Sequence, residues 1–243
     1  MDSANKTTYM RRAIELAQIG MDKNAGGPFG ALVVFKDKII GEGYHEHFGG
    51  PHAEVNAFNS IAQFDDFSEA IVYVTLEPCS YYGKTPACTD LLLKHRPKRV
   101  VVGAIDPNPK VSGAGIKILR DAGIEVVTGV LNDECEELNR RFFTNIHKSR
   151  PYIILKWAQT GDGFIARENG DSKWISNESS RQVVHKWRAN EDAILVGKET
   201  VNVDDPSLTV RDWQGEHPVR VILDRKASLE GDLNVFDGSV RTI

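Results

Sequence analysis

Two stretches carry residues able to hold a metal and move a proton: "PHAEVNAF", with His52 and Glu54, and "EPCSYYGKTPACTDLL", with Cys79 and Cys88. Helical residues turn by about 100° each, so positions two apart diverge by some 200° in a helix interior and converge only at its first turn. Pro51 ahead of His52, and the apolar Val55, Ala57, Phe58 and Ile61 after it, put a helix start there. Taken alone, the His-x-Glu pair fits a satisfied structural histidine, and two cysteines alone fit small core residues. Taken together, one imidazole and two thiolates make three ligands. Three protein ligands with an open fourth position is the arrangement of a catalytic zinc, whereas a structural zinc usually takes four. The candidates lie at helix starts, where unpaired N–H groups favour thiolate over thiol. Glu54 need not be a ligand: a carboxylate standing beside a zinc-bound water could take its proton as hydroxide forms and return it to a leaving amine. Cys135, in a charged helix, and His95, His147, His185 and His217, which read as surface or loop residues, keep the plain structural assignment.

The elements that must position these groups follow from periodicity. "TYMRRAIELAQIG" predicts an amphipathic helix stopping at Gly20, and "GALVVFKDKIIGEGY" a hairpin turning at Lys36-Asp37-Lys38. After the helix at His52, "AIVYVTLEP" and "RVVVGAID" read as buried strands with the helix "CTDLLLKHRP" between them. "GAGIKILRDAG" predicts a helix, "IEVVTGV" a strand, and "NDECEELNRRFFTNIHK" one long helix. The alternation argues for an α/β sheet covered by helices, a domain over residues 1–148. A boundary is expected at residues 147–151, around Arg150-Pro151. Beyond it, over 151–243, come the strand "YIILKWA", the helix "SSRQVVHKWRA", the strand "DAILVG", the loop "NVDDPSLTVRDWQGEHP" and the strand "VRVILD", with no further long element.

The 243 residues, 41% of them hydrophobic, suffice for a sizeable core in one large or two small domains. A net charge of −4 gives no electrostatic footprint for a phosphate backbone, so nucleic acid is not an expected partner. With no apolar run of about 18 residues and no charged-then-apolar leader, neither a membrane span nor secretion is expected, and the expected compartment is the cytoplasm. Three cysteines are too few for a disulfide framework and point to reduced thiols.

"HAE", then "PC" and a second cysteine, resembles the cytidine-deaminase-like superfamily. "TLEPCSYYGKTPACTDLL" with "AIDPNPKVSGAGIKILRDAGIEV" resembles one branch of it, the bifunctional riboflavin-biosynthesis deaminase/reductases. Related nucleic-acid and nucleoside deaminases usually place two residues between the cysteines. Here there are eight, Ser80 to Ala87. The resemblance continues through "ILKWAQTGDGFIA", "SKWIS", "HKWRA" and "TVNVDDPSLTVR". It implies a cytidine-deaminase-like three-layer α/β domain followed by a dihydrofolate-reductase-like α/β domain. It also implies zinc-dependent deamination of 2,5-diamino-6-ribosylamino-4(3H)-pyrimidinone 5′-phosphate, then NADPH-dependent reduction of the ribosyl group. Carried over residue by residue, His52, Cys79 and Cys88 are zinc ligands and Glu54 is the proton shuttle. His45, Lys84, Asp106 and Asn108 match the deaminase substrate pocket, with Lys84 suited to the phosphate. In the second segment Ala158, Trp174, Thr200 and Asp204 match nicotinamide-cofactor positions, and Ser172, Arg188, Leu208 and Arg211 match positions near the reductase substrate, with Lys156 in the same cleft. A homo-oligomer is expected.

Two departures from the family stand out. Ahead of the first strand the family carries a Pro-Asn-Pro element whose asparagine touches substrate, whereas this chain reads "NAGGPFGALVV", with Asn24, Gly26 and Gly27. That form resembles guanine and cytosine deaminases, which makes a nucleobase deaminase the alternative enzyme; a non-catalytic zinc module is the alternative outside enzymes. The second departure is length. Residues 151–243 lack the later glycine-rich element and glutamate expected beside the cofactor, so the reductase domain reads as C-terminally truncated.

Overall fold

The computed structural model describes residues 3–22 and 27–243, the side chains of residues 3–5 and 22 excepted. Its backbone divides into two compact units, Met1–Ile153 and Ile154–Ile243.

Among the described residues the first unit is built on a five-stranded sheet. The helix α1 (Ser3–Asp22) precedes the hairpin β1 (Gly30–Phe35) and β2 (Lys38–Tyr44), followed by α2 (Ala53–Asn59), β3 (Ile71–Leu76), α3 (Cys88–His95), β4 (Arg99–Ala104), α4 (Ala114–Asp121) and β5 (Glu125–Thr128). The sheet order is β2-β1-β3-β4-β5, with the hairpin side antiparallel and β3, β4 and β5 parallel. The expected turn forms at Lys36 and Asp37, both at positive φ, as a two-residue hairpin connection requires.

Strand alternation builds two cores. Ala31, Val33, Val72, Val74, Val100 and Val102 face α2, α3 and α4 through Ala57, Phe58, Leu92 and Leu119. Leu32, Val34, Tyr73 and Val101 face Met10, Ala13 and Leu16 of α1 on the other side, together with Cys135 and Phe143. With helices on both faces, a strand needs apolar residues at every position, which is why these strands read as continuous apolar runs.

The long helix expected over 132–148 is two helices, α5 (Asn132–Leu138) and α6 (Arg140–Lys148). The break is at Asn139, only 2% exposed, whose Nδ2 donates to the Cys135 carbonyl and competes with helix continuation. Cys135 itself is buried against Gly103, and burial pushes its thiol up to about 12, so the plain core assignment stands.

In the second unit α7 (Glu178–Asn190) starts at Asn177, whose Oδ1 accepts from Ser180 N. Then come β6 (Ala193–Gly197), α8 (Lys198–Asp204) and β7 (Val219–Leu223). β6 and β7 pair in parallel over a small core of Val201, Leu208 and Val235. The short helix α8 occupies the start of a segment expected to be loop. The expected strand "YIILKWA" carries no ladder: Ile153, Leu155 and Trp157 are 59%, 78% and 66% exposed. Apolar character alone does not make a strand, because the ladder requires an edge to pair with. Arg220 of β7 is fully buried. Its guanidinium donates to Val235 O, Asp237 Oδ1 and Ser239 Oγ, tying the last turns of the chain to the sheet. Among the described residues no helix is long and apolar enough to cross a membrane.

Candidate active site

Helix α2 opens where expected, with His52 as its extended N-cap and Glu54 in its first turn. The helix lies directly on β2. A Cβ on Gly43 would come within 2.2 Å of Ala57 N and 2.4 Å of Ala53 O, so only glycine allows this approach. Asn56 Nδ2 donates to Tyr44 O, which holds the helix start against the end of the strand.

Cys79 follows β3 by way of Pro78, and Cys88 is the first residue of α3. The Cys88 amide donates to Cys79 Sγ at 3.2 Å, and the Thr89 amide to the Cys79 carbonyl at 3.1 Å. The opening of α3 thus points its N–H groups at the partner cysteine. His52 Nδ1 lies 3.2 Å from Cys88 Sγ and 3.5 Å from Cys79 Sγ, and all three ligand atoms lie within 4.8 Å of one another. A tetrahedral zinc with ordinary bond lengths sets nitrogen and sulfur ligands about 3.5 Å apart, so the donor set fits that ion. Cys79 is pulled down to about 4, chiefly by the hydrogen bond from Cys88, and the same bond pushes Cys88 up. The hydrogen bond with Cys79 raises His52.

Glu54 is 7% exposed and lies against Cys88, with burial raising its carboxyl. A cavity of about 540 Å³ opens in front of it, lined by His45, His52, Glu54, Cys79, Lys84 and Asp106 among others. His45 is buried. Its Nδ1 accepts from Gly27 N at 3.0 Å and its ring meets His52 edge-on, with burial lowering it. Lys84 is exposed, its Nζ 4.0 Å from the centre of the Phe48 ring. Asp106 Oδ1 accepts from Asn108 N. Asn108 does not line the cavity; its Oδ1 accepts from Lys110 N. Of the departure ahead of β1, Asn24 and Gly26 lie outside the described residues, while Gly27 lines the cavity.

Two residues at the site went unremarked in the sequence. Thr85 Oγ1 lies 3.1 Å from His52 Nε2. Glu77 is 6% exposed and accepts four backbone N–H groups. A carboxylate closing an apolar strand, in "TLEPC", was the available signal for Glu77; a threonine in a polar loop gave none for Thr85.

In the second unit Arg188 and Arg211 meet at Thr209, Arg188 Nη1 on its carbonyl and Arg211 Nη1 on its hydroxyl, beside the buried Leu208. Ser172 is half-buried. His185 is a correction: it is 5% exposed, its Nδ1 accepting from Arg211 N and its Nε2 3.4 Å from Asp212. Trp174 is 71% exposed beneath the Arg181 guanidinium, Thr200 and Asp204 are exposed on α8, Ala158 is half-buried and Lys156 exposed.

The mixed sheet, with a His/Cys/Cys cluster at two helix starts and a buried glutamate beside it, defines a protein of the cytidine-deaminase-like class. Residues 3–104 match the cytidine and deoxycytidylate deaminase zinc-binding region, and residues 151–243 match the RibD C-terminal domain. The riboflavin biosynthesis protein RibD of Aquifex aeolicus is 50% identical over 89% of this chain and 61% of its own length; that of Bacillus amyloliquefaciens is 46% identical over 96% and 63%. The crystal structure of a diaminohydroxyphosphoribosylaminopyrimidine deaminase/5-amino-6-(5-phosphoribosylamino)uracil reductase from Thermotoga maritima superposes with a TM-score of 0.90 at 47% identity, over 99% of this chain and 69% of that one. RibD of Acinetobacter baumannii gives 0.89 at 36% identity, over 100% and 74%. The chain belongs to the RibD family of riboflavin-biosynthesis proteins. It spans about three fifths of the length of the curated relatives just named.

Proposed function

We propose that the first unit, with its functional domain over residues 1–148, is a zinc-dependent deaminase. It hydrolyses the amino group of 2,5-diamino-6-ribosylamino-4(3H)-pyrimidinone 5′-phosphate to the oxo group and ammonia. The observation that carries this function is the cluster of His52, Cys79 and Cys88 beside the buried Glu54, with His52, Cys79 and Glu54 lining one cavity. His52, Cys79 and Cys88 would hold the zinc. When bound, zinc supplies a Lewis acid that makes water a nucleophile near neutral pH.

The remaining work belongs to the chain. Glu54 sits off the ligand trio, buried at the wall of the cavity, takes a proton from the attacking water and delivers it to the departing amine, so that ammonia leaves neutral. His45 and Asp106 face the cavity and present the polar groups that orient the ring. Lys84 at the rim supplies a charge for the phosphate, with Asn108 supporting the Asp106 loop.

Residues 151–243 form part of an NADPH-dependent reductase for the deaminated product, with Arg188 and Arg211 as the phosphate contacts beside Ser172 and Leu208, and Ala158, Trp174, Thr200 and Asp204 along the cofactor. Trp174, Thr200 and Asp204 are exposed and do not enclose a nicotinamide ring. The protein acts in the cytoplasm, as a homo-oligomer, on a small phosphorylated pyrimidine.

The test is ammonia release from zinc-loaded protein given the diaminopyrimidinone phosphate, with guanine and cytosine as competitors. Release from the pyrimidine phosphate alone supports the assignment; release only from a nucleobase would replace it.

A further inference from the structure

We infer that Glu77 is a positioning residue, a carboxylate clamp that holds the Asp106 wall of the cavity in place; this rests on the proposed deaminase function. Glu77 lies one residue beyond β3 and two before Cys79. Its Oε2 accepts from Gly113 N at 2.9 Å and Asp106 N at 3.3 Å, and its Oε1 accepts from Gly115 N at 3.0 Å and Ile116 N at 3.4 Å. Two of these donors, Gly115 and Ile116, lie in the first turn of α4, one is its N-cap Gly113, and the fourth is the backbone of Asp106. Helix-start amides have no partner within their own helix, and a buried carboxylate beside them satisfies both their hydrogen bonding and the helix dipole.

The clamp joins two parts of the site. Helix α4 approaches the Pro78 backbone so closely that a Cβ on Gly115 would lie 2.1 Å from the Pro78 carbonyl oxygen. The segment entering Cys79 and the loop bearing Asp106 are thus fixed to one another through a single side chain. An ionised carboxylate offers about four acceptor directions, and four N–H groups use them. Glu77 lines the cavity with Glu54, yet its lone pairs are engaged and it is not a second base. A glutamine of the same shape turns an NH₂ toward two of those N–H donors, leaving them unpaired in a buried place.

Amide exchange of the zinc-loaded protein without substrate reads the clamp directly. In the wild type the amides of Gly113, Gly115 and Ile116 should be protected like those of β3, and in Glu77→Gln they and Asp106 should exchange at least about tenfold faster while Val72 and Val74 keep their protection. With the diaminopyrimidinone phosphate, Glu77→Gln should raise KM about tenfold, keep kcat within about threefold and leave the pH profile of kcat in place. Because Glu77 acts through Asp106, adding Glu77→Gln to Asp106→Ala should change KM by less than about threefold. Unchanged exchange, a fall in kcat at constant KM, or additive effects would overturn the clamp. A wild type that releases no ammonia removes the deaminase function instead, and the exchange measurement still decides the clamp. If Glu77→Gln does not fold, fast exchange at Gly113 and Gly115 in the wild type is the overturning result.

Discussion

Thr85 Oγ1 lies 3.1 Å from Nε2 of His52, while Nδ1 of the same ring faces both cysteine sulfurs. The two nitrogens of one imidazole are therefore divided between a hydroxyl and the candidate metal position. With the proton on Nε2 donated to Thr85, the Nδ1 lone pair is aimed at the metal before it arrives. Partners of this kind fix the tautomer and orientation of a ligating histidine. The eight-residue loop between the cysteines supplies that partner.

Thr85→Val should lower zinc affinity by about 10–100-fold, and Thr85→Ser should restore most of it. Competition with a chelator measures both. Equal affinity in all three proteins would mean that packing alone orients the ring.

Glu54→Gln should abolish ammonia release while retaining one zinc per chain, whereas His52→Ala, Cys79→Ser and Cys88→Ser should each lose the metal. Metal analysis beside the ammonia assay separates the two classes. Zinc missing from the Glu54 variant would make Glu54 a ligand.

Lys84 rests over Phe48 and is exposed, so it is free to turn to an incoming anion. Lys84→Ala should weaken binding of the phosphorylated pyrimidine by roughly 1.5–3 kcal/mol and scarcely affect the dephosphorylated compound. Equal losses for the two ligands would take Lys84 out of the phosphate site.

Gly43→Ala should displace α2, because the added methyl meets backbone atoms of Ala53 and Ala57 that cannot rotate away. His52 and Glu54 move with that helix, and a shift of about 1 Å in a catalytic group costs on the order of a hundredfold in rate. A variant with wild-type kcat would show that the helix start is held independently of its seat on β2.

Arg12 on α1 donates through Nε and Nη2 to both carboxylate oxygens of Glu42 on β2, holding the Glu42 carboxyl below its usual range. A depressed carboxylate stabilises the fold above its unfolded pKa and loses that contribution as pH falls through the folded value. Glu42→Gln should therefore flatten the loss of stability between about pH 5 and 3, by about 0.5–1 kcal/mol because the pair is partly exposed. Denaturant midpoints at several pH values check it; parallel curves for wild type and variant would discount the pair.

Much of the first unit was legible in the sequence, because its elements are governed by local rules. Valine-rich runs such as "IVYVTL" must be covered on both faces, the Lys36-Asp37 turn suits a hairpin, and Pro51-His52 opens a helix. The zinc trio was legible because its residue types are rare together and His52 and Cys88 sit at helix starts; Cys79 instead lies in the loop after β3, where the opening of α3 points its amides at it. What stayed illegible depends on partners far away in the chain. Asn139 breaks a helix whose periodicity runs straight through it, its buried amide reaching the Pro28 carbonyl, 111 residues away in the chain, as well as that of Cys135. "YIILKWA" has the composition of a strand, but a strand exists only where an edge accepts its N–H groups. His185 looks like any polar helix residue until Arg211 and Asp212 fold against it. Glu77 shows the division most clearly. The chain places a carboxylate at the end of an apolar strand, and only folding brings the amides of Asp106, Gly113, Gly115 and Ile116 to it. Residue type and local spacing settle which chemistry is available, whereas hydrogen bonds between groups some thirty residues or more apart are decided by packing, since no local pattern encodes them.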